Sequence, residues 1–386
     1  MNALMSAGFR PFFLATALHA VVAIGAWALF LAGVMPLATS RPILWHAHEM
    51  LFGFVPAAIA GFLLTASPHW TGTPPPGPRV LGVLVLLWLA GRLTFWTIDP
   101  FTASNTALAA RTIAAAFLPA LALTIGLRIV RSGNHRNLGV AAVLIALSIA
   151  QLLFLAGGHH VRAQTLALDL VLVLMTIIGG RITPLFTRNW LLGRGQSAHD
   201  LGADPWLDRA AVGLTVAVLV LNQLDVPLCW VAVCALAAGL AHFARLAAWQ
   251  GLRAWRDPLV AVLHLGYAWI GATLLLRSVA LLVPTLPNRA WVHAAAVGAI
   301  GTLIIGVIPR VTLGHTGRAL RLPRGAWLAF AAITAAAVLR IGVAIGLVPD
   351  TPGLRGSAVA WAAGFMLFAV YFLPMWFTPR VDAERQ

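Results

Sequence analysis

Residues 45–50 read WHAHEM, which sets two imidazoles and a carboxylate, His46, His48 and Glu49, within four positions. Imidazole is a common ligand to transition metals, and both groups can carry protons. Residues two apart on a regular α-helix point about 200° from each other, so His46 and His48 cannot face one partner from an undistorted helix. A shared site therefore requires a distorted or late helix start, with His46 still in the preceding loop and folded back beside His48. Glu49 then points roughly a further 100° round. His293, which opens another apolar run from the same side, is the opposing ligand this arrangement predicts. Two axial imidazoles from separate helices are a common way to hold a b-type haem in a helical bundle.

Such a group also needs cations for its two propionates. Arg92, Arg277 and Arg340 fall inside apolar runs, in the halves nearest the same surface. Asp169 competes for them: an Arg277–Asp169 or Arg340–Asp169 ion pair accounts for one arginine and leaves the others unmatched. Bidentate arginine–carboxylate contacts would match that excess if propionates were bound.

The elements that position these residues follow from composition. A chain of 386 residues, 60% hydrophobic and 10% charged, with mean hydropathy +0.89, cannot pack as a water-soluble globule. A hydrocarbon core about 30 Å thick takes about 20 apolar residues per helical crossing. Such runs occur at 12–35, 46–67, 79–98, 107–130, 137–157, 165–187, 208–225, 227–249, 257–283, 290–311, 325–348 and 356–377. The expectation is an all-α, polytopic membrane protein of about twelve transmembrane helices, one integral domain over 1–386. The first run is too long for a signal-peptide core and lacks a small-residue cleavage site, so it is expected to be retained. Polar joints such as TGTPPPGP (71–78), RSGNHRN (131–137) and RGQSAHDLGADP (194–205) separate the runs.

All 26 basic residues are arginine. Seventeen gather at one set of span ends, whereas Arg41, Arg111, Arg162, Arg289 and Arg355 lie at the other. The positive-inside rule then puts both termini in the cytoplasm, with the lipid bilayer as the protein's main partner. The net charge of +15 is thereby a matter of topology; no loop is long enough to present a folded basic face to nucleic acid. The two cysteines, Cys229 and Cys234, are five residues apart and so turned roughly 140° from each other, which disfavours a disulfide or a shared metal.

On this topology His46, His48, His159, His160 and His293 belong to the outer side, and His19, His69, His242, His264 and His315 to the inner side. His242 and His264 each stand about 10 Å in from the cytoplasmic ends of adjacent antiparallel runs, close enough in depth to face each other. Gly298, Gly301 and Gly306 behind His293 would admit a flat ring or a neighbouring helix. Pro184 and Pro309 are expected to free backbone carbonyls near the inner ends of their runs.

Six segments in order, GFRPFFL (8–14), WHAHEMLFGF (45–54), AGFLLTASPHWTG (60–72), GGRITPLFTRN (179–189), LHLGYAW (263–269) and HAAAVGAIGTLIIGVIPRVTLGHTGR (293–318), resemble the NnrS family over essentially the whole chain. These are bacterial twelve-helix membrane proteins associated with the nitric oxide response. The resemblance implies binding of haem b and copper and resistance to nitrosative stress. Family motifs fall on His46, His48, Glu49, Trp70, Arg181, His264, Tyr267, His293, Arg310 and His315. His69 departs from the family pattern, which usually has Asn there, and is not expected to be a ligand.

Depth assigns haem to His48 and His293, with His264 as a further cofactor-binding residue carried by the resemblance. Proximity to the outer surface places copper at His46, His159 or His160; His315 joins the metal candidates through its motif. Three functions follow. The first is a redox enzyme that reduces or scavenges nitric oxide, with Glu49 or Tyr267 relaying protons and a quinol or membrane partner supplying electrons. The second is a haem-based sensor without turnover, and the third a twelve-helix transporter.

Overall fold

The apolar runs fold as twelve helices long and apolar enough to cross a membrane. A computed structural model describes residues 3–202, 204–224 and 226–381, and no strand occurs among them. The helices are α1 (Phe9–Leu31), α2 (Pro42–Thr71), α3 (Pro78–Thr97), α4 (Asn105–Arg131), α5 (His135–Ala156) and α6 (His160–Leu192). They continue as α7 (Pro205–Gln223), α8 (Leu228–Ala248), α9 (Pro258–Leu282), α10 (Arg289–His315), α11 (Trp327–Ala344) and α12 (Asp350–Phe377). Proline opens α2, α3, α7 and α9, where its missing N–H costs no helical hydrogen bond. Helix α2 consequently starts before the expected residue 46, and His46 lies inside its first turns, not in the loop.

Two helices carry a wider turn. In α2 the backbone changes from α-helix (Pro42–His48) to π-helix (Glu49–Phe54) and back (Val55–Thr71). In α10 the same change follows His293, with π-helix over Ala294–Gly301. The distortion required around WHAHEM is therefore present, but it begins directly after His48. π-Turns are rare and concentrate where a side chain must be re-aimed.

The chain forms two compact units, one of residues 1–167, 311–320 and 365–386, the other of 168–310 and 321–364. In the first, α1 packs along α2, and α4 packs against α3 and α5. Small residues allow the close approaches: a Cβ on Gly61 of α2 would fall 2.5 Å from the Phe13 ring of α1. The start of α1 is tied to the end of α12, because Arg10 Nη1 donates to the carbonyls of Trp376 (2.9 Å) and Thr378 (2.6 Å).

In the second unit α8 lies along α9 and beside α7, α9 packs on α10, and α10 on α11. Gly239 and Gly271 bring α8 and α9 together; added Cβ atoms would meet Leu275 at 2.7 Å and Phe243 at 2.8 Å. Within this unit Arg277 pairs with Asp169, both buried, and its guanidinium stacks 4.4 Å from the Trp291 ring. Of the two expected pairings for Asp169, this is the one formed. Outward faces carry Leu86, Leu93, Ile145, Val233 and Val338, as a lipid-facing surface requires. Thr16 and Thr65, both buried, donate to the carbonyls one turn back, of Phe12 and Gly61, each at 2.7 Å. Both cysteines are free thiols.

Outside the spans, Asp99 anchors the loop that leads into α2. It accepts hydrogen bonds from Ser40 N (2.8 Å), Phe101 N (3.0 Å) and Thr39 Oγ1 (3.4 Å). Partial burial pushes its carboxyl up, but these donors outweigh burial and hold it below the ordinary carboxylate range. The tether is fully present above the ordinary aspartate pKa and is lost as pH falls through the lowered value. Amide exchange at Ser40 and Phe101, corrected for intrinsic rates, is expected to rise across that interval and to lose the step in Asp99→Asn.

Candidate functional site

In the first unit the π-turn of α2 builds a buried polar cluster around Glu49. The earlier start at Pro42 sets Glu49 seven residues, about 10 Å, along α2, and its side chain is fully buried. A buried carboxylate persists only if its lone pairs are met by donors. Three groups do so. Oε1 accepts from Arg92 Nη1 of α3 and from His48 Nδ1 at 3.2 Å, and Oε2 accepts from Trp96 Nε1 at 2.6 Å. His19 Nε2 of α1 lies 3.4 Å from Oε2 and hydrogen-bonds the Glu49 backbone carbonyl at 3.2 Å. The widened turn has its own partners: Trp88 Nε1 donates to the Gly53 carbonyl at 3.0 Å. A Cβ at 53 would lie 2.5 Å from Arg92 Nη1 and 2.8 Å from His19 Nε2, so a larger residue there has to displace two side chains that face Glu49. Gly53→Ala is expected to cost about 1–3 kcal/mol through overpacking, read as a lowered unfolding midpoint of the purified protein.

These contacts decide the tautomer of His48. With the proton on Nδ1 and given to Glu49, Nε2 carries the lone pair, and the Gln151 amide of α5 donates to it at 3.3 Å. Gln151 also donates to the Ala114 carbonyl at 3.1 Å, while its own Oε1 is buried without a hydrogen-bond partner. Phe95 stacks on the imidazole at 3.7 Å with 15° between planes, fixing the ring. A neutral imidazole whose Nδ1–H is held by a carboxylate is the arrangement of a metal-ligating histidine, oriented by its outer partner.

A second polar network lies in the other unit. Thr215 donates to the Ala211 carbonyl (2.7 Å), so it accepts from His242 Nε2–H (2.9 Å). His242 Nδ1 then accepts from the Tyr267 hydroxyl (2.9 Å), whose oxygen accepts from Arg245 Nη1 (2.7 Å). Arg245 also donates Nε to Asp208 (2.6 Å). Gly180 of α6 makes room for it, since a Cβ there would sit 2.5 Å from Arg245 Cζ. By the same logic Thr187 is committed to the Thr183 carbonyl (2.8 Å), so His264 donates Nε2–H to Thr187 (2.8 Å) and keeps an unprotonated Nδ1. His242 and His264 thus turn to different partners, and Trp249 packs against both Tyr267 and His264.

The remaining sequence candidates are dispersed. His46 stacks on Trp27 with ring centres 4.6 Å apart, and His160 sets its ring edge against Phe101 and Phe154. His159 is exposed in the turn before α6. His293 bonds through Nδ1 to the Arg289 carbonyl at 2.8 Å. Among the described residues no group of three or more His, Cys, Asp or Glu side chains is placed to hold a metal ion. Arg92 is taken by Glu49 and Arg277 by Asp169; Arg340 is half-buried and makes no ion pair among the described residues.

The family model described as NnrS protein matches residues 3–380. The chain belongs to the NnrS family. No curated protein matches it. Membership in the NnrS family, together with twelve spans, supports a multi-pass membrane protein of the nitric oxide response.

Several partners in the site are not legible in the sequence. His19, expected toward the inner side, instead meets Glu49. Nothing in the spacing points to Trp88, Trp96, Arg245 or Asp208 as members of these networks. Gln151 does carry a usable signal, as a polar amide inside an otherwise apolar run.

Proposed function

We propose that the protein binds haem and copper in a bacterial inner membrane and protects against nitric oxide by capturing it at haem, with His48 as a haem ligand. The observation that carries this is the His48 ring itself: Nδ1–H on Glu49, a basic Nε2, and beside it an amide whose Oε1 lacks a partner. The donor chemistry fits haem iron, which takes a neutral imidazole nitrogen. When bound, haem supplies the coordination position that a diatomic gas occupies. The chain's residues do the rest: Glu49 orients the imidazole and raises its basicity, and Phe95 fixes its plane. His293 is the second candidate, because a π-turn opens behind it too. His264, with its unprotonated Nδ1, is a third. Copper is proposed at His46, His159 or His160 of the outer set.

Capture is favoured over reduction by what Glu49 and Tyr267 do. Reducing two nitric oxide molecules to nitrous oxide and water consumes two electrons and two protons, drawn here from a quinol or a membrane partner. Glu49 is fully engaged by donors, and the Tyr267–His242–Thr215 chain ends on a helix carbonyl. Neither is laid out as a proton path. The test is the optical spectrum of detergent-purified protein, oxidised and reduced, before and after nitric oxide. A haem spectrum shifted by the gas without nitrous oxide release supports capture. Sustained nitrous oxide production with a quinol donor replaces capture by reduction, and colourless protein removes the haem reading.

A further inference from the structure

Most buried histidines of this chain are engaged: His19 and His48 on Glu49, His242 on Tyr267 and Thr215. His69 and His315 are different. They lie in the first unit, in the last turns of α2 and α10, with ring centres 5.6 Å apart and planes tilted 41°. Neither ring hydrogen-bonds a protein group among the described residues. His69 is exposed and His315 half-buried, so the pair is open to solvent. Phe9, buried beneath, packs on His315 at 5.9 Å and holds that ring in place.

Two imidazoles that bind one tetrahedral ion through nitrogens about 2.0–2.1 Å away set their ring centres roughly 5 Å apart. The observed spacing is within a small side-chain rotation of that. Both rings also sit at helix C-termini, whose carbonyl ends favour positive charge. The Arg380 guanidinium, which acts on His315 through space, opposes it. With two protein ligands and two positions left for water, such an ion exchanges readily.

We propose that His69 and His315 bind one borderline divalent cation, of the zinc, copper(II) or nickel class, at this end of the helices. The site is independent of the haem reading, because it uses neither His48 nor His293, and it depends on His69, which sets this chain apart from its family's usual pattern. The experiment takes full-length protein in detergent, stripped with chelator, and titrates copper(II) alone while recording the paramagnetic resonance spectrum. The expected result, in addition to copper at the outer histidines, is one equivalent with nitrogen splitting from two imidazoles, lost in His69→Asn and in His315→Ala but kept in His199→Ala, an exposed loop histidine. His69 is exposed, so His69→Asn is expected to elute as the parent does and to isolate ligand loss from misfolding. An unchanged equivalent and spectrum in His69→Asn would overturn the proposal, whatever the haem content of the sample.

Discussion

Replacing Arg92 with leucine is expected to destabilise the protein by about 3–5 kcal/mol, because it strips a fully buried Glu49 of its only permanent cation among the described residues. The remaining donors to it, His48 and Trp96, are neutral hydrogen-bonding groups in the tautomer the structure imposes. They solvate the carboxylate without balancing its charge. Removing both charges is a different matter: Glu49→Leu with Arg92→Leu takes away the desolvation cost together with the attraction. The double variant is therefore expected to recover at least half of the loss, short of full recovery because Trp96 and His48 lose an acceptor. Unfolding midpoints of the four proteins of this cycle measure the coupling. A double variant no more stable than Arg92→Leu would mean that the cluster acts through its hydrogen bonds alone.

The same cluster shows where sequence reading stops. Twelve spans, the all-helical class and an arginine partner for Asp169, though not which of two, are legible, because each depends on composition or on the few charges that an apolar run can tolerate. Glu49 as the counterion of Arg92 is not. Counting along the chain makes Glu49 a proton relay near the surface, which leaves Arg92 unmatched. The proline start of α2 and the π-turn carry the carboxylate deeper and re-aim it, and neither changes the hydrophobic pattern. Gly53 is the one residue whose type records the outcome, and a lone glycine in an apolar run fits ordinary close packing of helices equally well. His19 is misplaced for a related reason. Depth counted from one helix end assumes regular geometry in both partners, and α2 is irregular at the level where they meet. In the second unit, the pairing of His242 with Tyr267 depends on the close approach of α8 and α9 at Gly239 and Gly271, a packing fact that spacing along one helix cannot supply.

Loss of haem on replacing His48 with alanine is the larger functional consequence. On the proposed reading His48→Ala removes the imidazole and leaves Glu49, Arg92 and Phe95 in place, so the charge pair survives while the ligand does not. Haem per protein is expected to fall to near zero in a variant that still elutes as a single species, and imidazole added during expression is expected to restore part of it. Glu49→Gln keeps an acceptor for His48 Nδ1 but withdraws the negative charge; losses of about 10–100-fold in retention are the usual scale for such an outer partner. His293→Ala poses the same question at the other π-turn. His242→Ala, whose ring is committed on both nitrogens to Tyr267 and Thr215, is expected to retain haem. Retention in His48→Ala with loss in His242→Ala would move the haem to the Tyr267 network and leave the π-turn of α2 as a structural device for burying Glu49.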